Sequence, residues 1–276
     1  IAKENGKNRY EFFHENILSL MNREFEIEKF LRTAIDKDEI YLNFQPKVSL
    51  VNDNVDGFEI LVRWKNKKLG VVPPNQFIPI AESNGMIIDI GRVIIDRSFK
   101  KCKELSLIVK ERFNFAINIS DIQLRDENFI DFVSEKLNEY DISPEYIEFE
   151  ITESVIMQSV SKNIDTILKL KELGITIALD DFGTGYSSLN YLRRLPIDVL
   201  KIDKSFIDGI GLDKKSDKIA KSIIELAHSL NLKVVAEGVE NKEQFNYLNY
   251  INCDIIQGYY FSKPTEFDEI KDMLLI

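Results

Sequence analysis

Eight β-rich runs alternate with helical stretches along this chain, and this alternation limits its fold more than any other feature. Alternating or continuous apolar residues predict strands, whereas apolar residues recurring every three or four positions predict helices. The predicted strands are 41–46, 56–62, 114–119, 146–151, 175–180, 198–202, 233–237 and 255–260, and the predicted helices are 75–83, 86–104, 127–139, 161–173, 216–230 and 241–250. Eight strands with intervening helices in about 240 residues indicate an α/β protein with a (β/α)8 TIM-like barrel.

Polar residues stand at the ends of five predicted strands. They are Glu59, Asn118, Glu150, the pair Asp180 and Asp181, and Glu237. The carboxyl ends of barrel strands form one face, where enzymes of this fold carry their chemistry. Because a buried carboxylate is costly without a partner, several of them close together require cations. The pattern therefore predicts a metal-dependent active site. Taken alone, Asp180 and Asp181 would also fit a solvated turn, and Asn118 a hydrogen-bonded core amide.

The composition of the chain disfavours several kinds of binding surface and metal site. The chain has 276 residues, with 36 Lys and Arg against 46 Asp and Glu, so its formal charge is −10. This argues against a surface that coats DNA or RNA or contacts a membrane. The only histidines, His14 and His228, adjoin no carboxylate motif, which disfavours zinc and copper and favours magnesium or manganese. Cys102 and Cys253 are predicted to be reduced, buried thiols of a cytosolic domain.

Nine sequence blocks point to one family. The triplet Glu59-Ile60-Leu61 precedes Val62-Arg63-Trp64, and the other blocks are NFQPKV, PPNQFIPIAE, AINIS, EITES, DDFGTGYSSL, LKIDKSFI, AEGVE and QGYYFSKP. On these motifs the chain, from about residue 27 to residue 270, resembles EAL-domain cyclic di-GMP phosphodiesterases. Ile60 replaces the family's alanine, and we expect it to affect only packing, because it lies on the strand face opposite Glu59.

The resemblance implies hydrolysis of cyclic di-GMP to linear pGpG in a barrel whose first strand could be irregular and antiparallel. It implies two Mg²⁺ or Mn²⁺ ions per site, which neutralise phosphate charge and activate water. The implied metal ligands are Glu59, Asn118, Glu150, Asp180 and Asp181. The implied substrate contacts are Gln45, Leu61, Arg63, Asp203 and Gln257. From the residues alone, Arg63 could instead form an exposed salt bridge, and the two glutamines could be ordinary strand-end amides.

The resemblance also suggests catalytic roles. Lys201 would position the attacking water or deprotonate it, Glu237 is the other candidate base, and metal-activated water could need neither. Asp181 would assist at the second metal, and Glu153 would anchor the loop at 183–185. A plain ion pair between Lys201 and Asp203 is the alternative for this lysine.

The opening AKENGKNRYEFF is similar to the end of a GGDEF domain, so we expect a fragment of a tandem GGDEF-EAL protein. The expected domains are a GGDEF remnant at 1–13, a linker helix at 14–26 and the EAL domain at 27–276. A homodimer through the EAL domain is expected, in the cytoplasm, with any membrane anchor outside this fragment. Two other functions stay open: a degenerate module that senses cyclic di-GMP without cutting it, and an unrelated barrel enzyme such as a lyase.

Overall fold

The computed structural model describes residues 15–153, 155, 160–183 and 192–275. The predicted GGDEF remnant at 1–13, and positions 184 and 185 of the predicted loop, lie outside these residues. The described chain divides into two compact units. The smaller unit comprises the residues up to Tyr41 together with Arg63–Met86, and the larger comprises Leu42–Val62 and the chain from Ile87 onwards.

Among the described residues, eight strands close into a barrel, which lies mostly in the larger unit; residues 40–41 and 63–66 of its first two strands belong to the smaller unit. They are β1 (Ile40–Ser49), β2 (Val55–Asn66), β4 (Asn114–Asn118), β5 (Ile147–Thr152), β6 (Thr176–Phe182), β7 (Val199–Ile202), β8 (Lys233–Ala236) and β9 (Ile255–Gln257). From β2 through β4 to β9, neighbouring strands pair in parallel, whereas β1 is antiparallel to β9 and also pairs with β2. The predicted barrel with its antiparallel first strand is confirmed.

The helices of the larger unit alternate with these strands. They are α3 (Ile87–Ile108), α4 (Asp121–Leu124), α5 (Phe129–Tyr140), α6 (Val160–Glu172), α7 (Lys204–Ile207), α8 (Lys214–Ser229), α9 (Lys242–Tyr250) and α10 (Phe267–Leu274). A capping box opens α9: the Asn241 side chain accepts from the Gln244 N–H, and the Gln244 side chain accepts from the Asn241 N–H. The short helices α4 and α7, and the final helix α10, were not predicted from the pattern.

Strand β5 shows how the barrel wall separates apolar from polar side chains. Ile147, Phe149 and Ile151 are fully buried, and the Phe149 ring lies 6.0 Å from that of Phe129 on α5. Glu148 and Glu150 alternate with them and are also buried, as expected for side chains that point into the barrel. Further round the interior, four buried side chains form an apolar cluster: Ala178, Val199, Val235 and Ile255.

The smaller unit contains α1 (Glu15–Leu31), α2 (Pro74–Ser83) and the short strand β3 (Gly70–Val72), which pairs antiparallel with the end of β2. Its core is built on Trp64, whose indole Nε1 donates to Glu39 at 3.1 Å and whose ring meets Phe77 edge-on at 5.6 Å. Helix α1 is continuous across the predicted boundary at 26/27, which stays a prediction.

None of the helices in the described parts of the chain has the length and apolarity that a membrane span requires. Cys102 and Cys253 are free and buried, as predicted, and burial raises the pKa of each thiol to about 12.

Candidate active site

Four carboxylates converge on the ammonium group of Lys201 at the carboxyl ends of the barrel strands. Lys201 Nζ lies 2.8 Å from Glu150 Oε2, 2.8 Å from Glu237 Oε1, 3.2 Å from Asp180 Oδ2 and 3.9 Å from Glu59 Oε1. The lysine is only 1% exposed. One buried cation therefore faces four buried or half-buried carboxyl groups, and this excess of acids favours binding of further cations.

Amide side chains order this cluster. Asn118 Nδ2 donates to Glu59 Oε1 at 2.9 Å and to Glu150 Oε2 at 3.3 Å. Gln257 Nε2 donates to the other oxygen of Glu59, Oε2, at 2.6 Å, and to Gln45 Oε1 at 3.1 Å. The first and last strands adjoin as predicted, and both glutamines belong to the hydrogen-bond network of the site.

A β-bulge brings the consecutive residues Asp180 and Asp181 to the same site. The ladder between β6 and β7 is in register up to Leu179 and resumes at Phe182. Asp180 contacts Lys201, and an Asp181 carboxylate oxygen lies within 4.8 Å of oxygens of Asp180 and Glu237. Asp181 has a left-handed backbone with φ 55°, and its N–H donates to Asp180 Oδ1 at 2.8 Å. In a regular strand, consecutive side chains point to opposite faces, and the bulge removes that restriction.

The donor set fits a hard divalent cation. Carboxylate oxygens of Asp180, Asp181 and Glu237 all lie within 4.8 Å of one another, close enough to share one ion. Glu150 Oε1 is buried and has no hydrogen-bond partner, an arrangement that a bound cation would satisfy. The described ligands are oxygen donors without sulfur or imidazole, as magnesium and manganese prefer.

Burial and mutual repulsion shift the pKa values of the acids apart. Burial raises the pKa of Glu237 to about 7, with Asp180 and Glu59 adding to the rise and Lys201 opposing it. Burial, then the charge of Glu59, raises the pKa of Glu150 well above its usual range. Burial would also raise the pKa of Glu59, but the Lys201 charge and the two amide donors hold it below its ordinary value. The acids of the site are therefore not equivalent.

Lys201 stays protonated in this environment. Burial alone would lower the pKa of its ammonium group, but the surrounding carboxylates, led by Glu150 and Glu237, raise it well above the ordinary value. The alternative ion pair with Asp203 is not the one formed. Asp203 instead caps α7, its carboxylate accepting a hydrogen bond from the Ser205 N–H at 3.0 Å.

A second buried ion pair lies inside the barrel and involves a residue that the sequence analysis missed. Lys47 Nζ lies 2.7 Å from Glu148 Oε1, and these residues are 1% and 3% exposed. Burial would lower the pKa of Lys47, but Glu148 and then Glu150 raise it. The available signal was the position of Lys47, two residues after Gln45 in NFQPKV and thus on the same strand face.

The remaining predicted residues lie on or next to strands β2, β5 and β6. Leu61 is half-buried on β2, two residues beyond Glu59, and Glu153 is buried just after β5. Arg63 belongs to the smaller unit, one residue before Trp64. Gly183 has φ 95°, and a Cβ there would lie 2.6 Å from the ring of Phe206. The roles proposed for these residues stay predictions.

The comparisons with known proteins agree with this geometry. The sequence pattern of the family described as EAL domain matches residues 28–264, and the chain belongs to that family. It is 37% identical over 273 residues to "Cyclic di-GMP phosphodiesterase NbdA" of Pseudomonas aeruginosa, which covers 99% of this chain and 35% of NbdA. It is 39% identical over 276 residues to "Signaling protein YkoW" of Bacillus subtilis, covering 99% of this chain and 34% of YkoW. The chain thus spans about a third of the length of these relatives.

Solved structures are similar over most of the chain. The structure titled "PaMucR Phosphodiesterase, c-di-GMP complex" has a TM-score of 0.84 and 34% identity, covering 89% of this chain and 99% of that one. The EAL enzyme Bd1971, in a form with cAMP and cyclic-di-GMP bound, has a TM-score of 0.87 and 34% identity, covering 92% of this chain and 69% of that one. The unrelated barrel enzyme that the sequence left open is thereby excluded.

Proposed function

We propose that this EAL domain hydrolyses one phosphodiester bond of cyclic di-GMP and releases linear pGpG. The observation that carries the proposal is the convergence of Glu59, Glu150, Asp180 and Glu237 on one buried lysine at the barrel mouth. A relative that matches nearly the whole chain bears the name of a cyclic di-GMP phosphodiesterase, and a similar structure contains the dinucleotide.

The cofactor that we propose is a pair of Mg²⁺ or Mn²⁺ ions. Glu59, Asn118, Glu150 and Asp180 would hold one ion, and Asp180 with Asp181 would hold the other. Once bound, two such ions supply charge neutralisation for the phosphate and lower the pKa of the attacking water. The unsatisfied Glu150 Oε1 and the closely spaced oxygens of Asp180 and Asp181 support this assignment.

The chain's own residues then divide the remaining work. Lys201 is a donor rather than a base, because its carboxylate neighbours raise its pKa, and we assign it the role of orienting the attacking water. Glu237 is the proposed proton acceptor: its pKa of about 7 lets it hold or release a proton at neutral pH. Its side chain is 20% exposed, so it keeps contact with the open end of the site.

The finer assignments rest on the family resemblance. Gln45, Leu61, Arg63, Asp203 and Gln257 would contact the dinucleotide, and Glu153 would anchor the loop that follows Asp181. A homodimer through this domain, a cytoplasmic location and a parent protein with a GGDEF domain upstream belong to the same proposal. No contact with a nucleic-acid polymer or a membrane is part of it.

Incubation of the purified chain with cyclic di-GMP and MnCl₂, followed by chromatographic detection of pGpG, tests the proposal. We expect pGpG to form with Mn²⁺ or Mg²⁺ and to be absent after EDTA treatment. Glu59→Gln should abolish product formation. The matched control is Glu139→Gln, which changes a half-exposed glutamate on α5 and should leave turnover unchanged. Binding of cyclic di-GMP without any pGpG, under all metal conditions, would instead identify a sensor module.

A further inference from the structure

The Lys47–Glu148 ion pair lies one layer deeper in the barrel than the cluster around Lys201. Glu148 comes two residues before Glu150 on the inward face of β5, whose carboxyl end faces the site. Lys47 follows Gln45 on β1, which runs antiparallel to β9, and it is the ladder partner of Gln257. Gln257 in turn donates to Glu59 Oε2 at 2.6 Å. Lys47 is therefore linked through Gln257 to Glu59, and Glu148 is linked along β5 to Glu150.

Stability alone does not account for this pair. The neighbouring interior of the barrel is apolar, lined by the cluster Ala178, Val199, Val235 and Ile255. Two apolar side chains of similar volume would fill such a position at least as stably, because a buried ion pair must overcome the desolvation of both charges. The 2.7 Å contact between two nearly inaccessible charged groups thus suggests a role in the chemistry above it.

We propose that Lys47 and Glu148 are positioning residues that form a charge-neutral ion pair beneath the metal site. Lys47 places a cation under Glu59 and Glu150 and offsets their mutual repulsion. Glu148 balances that cation, so that the divalent ions above meet no net positive charge from below. This inference rests on the proposed function, because it assumes that the carboxylates above Lys47 bind metal.

Calorimetric titration of the substrate-free protein with MnCl₂ tests this role of the Lys47–Glu148 pair without relying on activity. E148Q leaves Lys47 unbalanced under the site, so its Kd for Mn²⁺ should rise by about tenfold or more. K47M leaves a buried anion instead, so its Kd should equal the wild-type value or fall below it. The neutral double variant K47M/E148Q should bind within about threefold of wild type.

The asymmetry between the two single variants distinguishes this role from a structural one. A pair that only holds the fold together would weaken Mn²⁺ binding equally in K47M and E148Q, or leave it unchanged in both, and either result overturns the inference. If E148Q does not fold, a double variant more than about tenfold weaker than wild type overturns it as well. Wild-type protein that binds no Mn²⁺ would contradict the proposed function itself, and the inference with it.

Discussion

Lys201 occupies the position where four carboxylates would otherwise repel one another without any cation between them. Its Nζ makes contacts of 2.8 Å with both Glu150 and Glu237, and 3.2 Å with Asp180. In protein without metal, the lysine is therefore the counter-ion that offsets the repulsion among these carboxylates. With metal bound, the same ammonium group would be released from part of this task and could orient water.

Lys201→Met separates these two roles. We expect turnover to fall by at least about a hundredfold, because the group that orients the attacking water is gone. Without metal the variant should melt at a lower temperature than wild type, since four acids lose their buried counter-ion. Mn²⁺ should raise the melting temperature of the variant by more than it raises that of wild type, because the added cation replaces the missing one.

Steady-state kinetics and thermal unfolding with and without MnCl₂ measure both effects. Lys68→Met is the control, because this lysine belongs to the smaller unit and is 69% exposed. Its ion pair with the exposed acid Glu26 is long, at 3.8 Å. Unchanged turnover in Lys201→Met would reduce the lysine to a structural counter-ion.

At the scale of single elements, the strand ends were predictable and their local distortions were not. The polar residues on β2, β4, β5 and β6 and just after β8 were predicted from the strand pattern, and the structure brings their side chains together. Period-two alternation, however, sends Asp181 away from Asp180, and only the bulge on β6 returns it to the site. Lys47 was missed because the predicted first strand ended at residue 46, whereas β1 continues to Ser49 and pairs Lys47 with Gln257 on β9.

Gly183, which directly follows β6, is expected to support that bulge. Gly183→Ala places a methyl group 2.6 Å from the ring of Phe206 at a residue with φ 95°, so both backbone strain and overlap oppose it. We expect a loss of at least about 2 kcal/mol in the free energy of unfolding, together with weaker Mn²⁺ binding. Denaturant unfolding and calorimetric titration measure the two effects.

Gly85→Ala is the matched control for the backbone strain. Gly85 has φ 79°, but a Cβ there meets nothing within 4 Å, so only the left-handed conformation opposes the substitution. Its cost should be about 1 kcal/mol, with Mn²⁺ binding unchanged. Equal losses in the two variants, or full Mn²⁺ affinity in Gly183→Ala, would show that this glycine does not support the bulge.

At the scale of the whole barrel, acids at the amino ends of the strands have a structural role, and acids at the carboxyl ends form the candidate active site. Before β7, Asp198 forms an ion pair with Lys171, and its Oδ2 accepts from the Ile177 N–H at 3.0 Å. Before β9, Asp254 repeats the arrangement, because its Oδ2 accepts from the Val234 N–H at 2.8 Å and from His228 Nε2 at 2.9 Å. The sequence shows which end of a strand each aspartate occupies, but it does not show that Asp198 and Asp254 accept from backbone N–H groups of the neighbouring strands β6 and β8.

Asp198→Ala and Asp180→Ala should therefore have opposite effects. Asp198→Ala removes the acceptor that pairs with the Ile177 N–H, and we expect a loss of about 1–2 kcal/mol in unfolding free energy with kcat unchanged. Asp180→Ala removes one of four acids that repel one another around Lys201, so the metal-free protein should be at least as stable as wild type, while turnover is abolished.

Denaturant unfolding in EDTA, and pGpG formation in MnCl₂ below the unfolding transition, measure the two quantities on the same protein samples. The comparison is sharp because both changes remove one aspartate from the edge of the same parallel sheet. If Asp198→Ala lost turnover while folded, or if Asp180→Ala were clearly less stable than wild type without metal, chemistry and stability would not be divided between the two ends of this barrel. Barrel enzymes in general place catalysis at the carboxyl ends of the strands and stability at the amino ends, so we expect the division to hold.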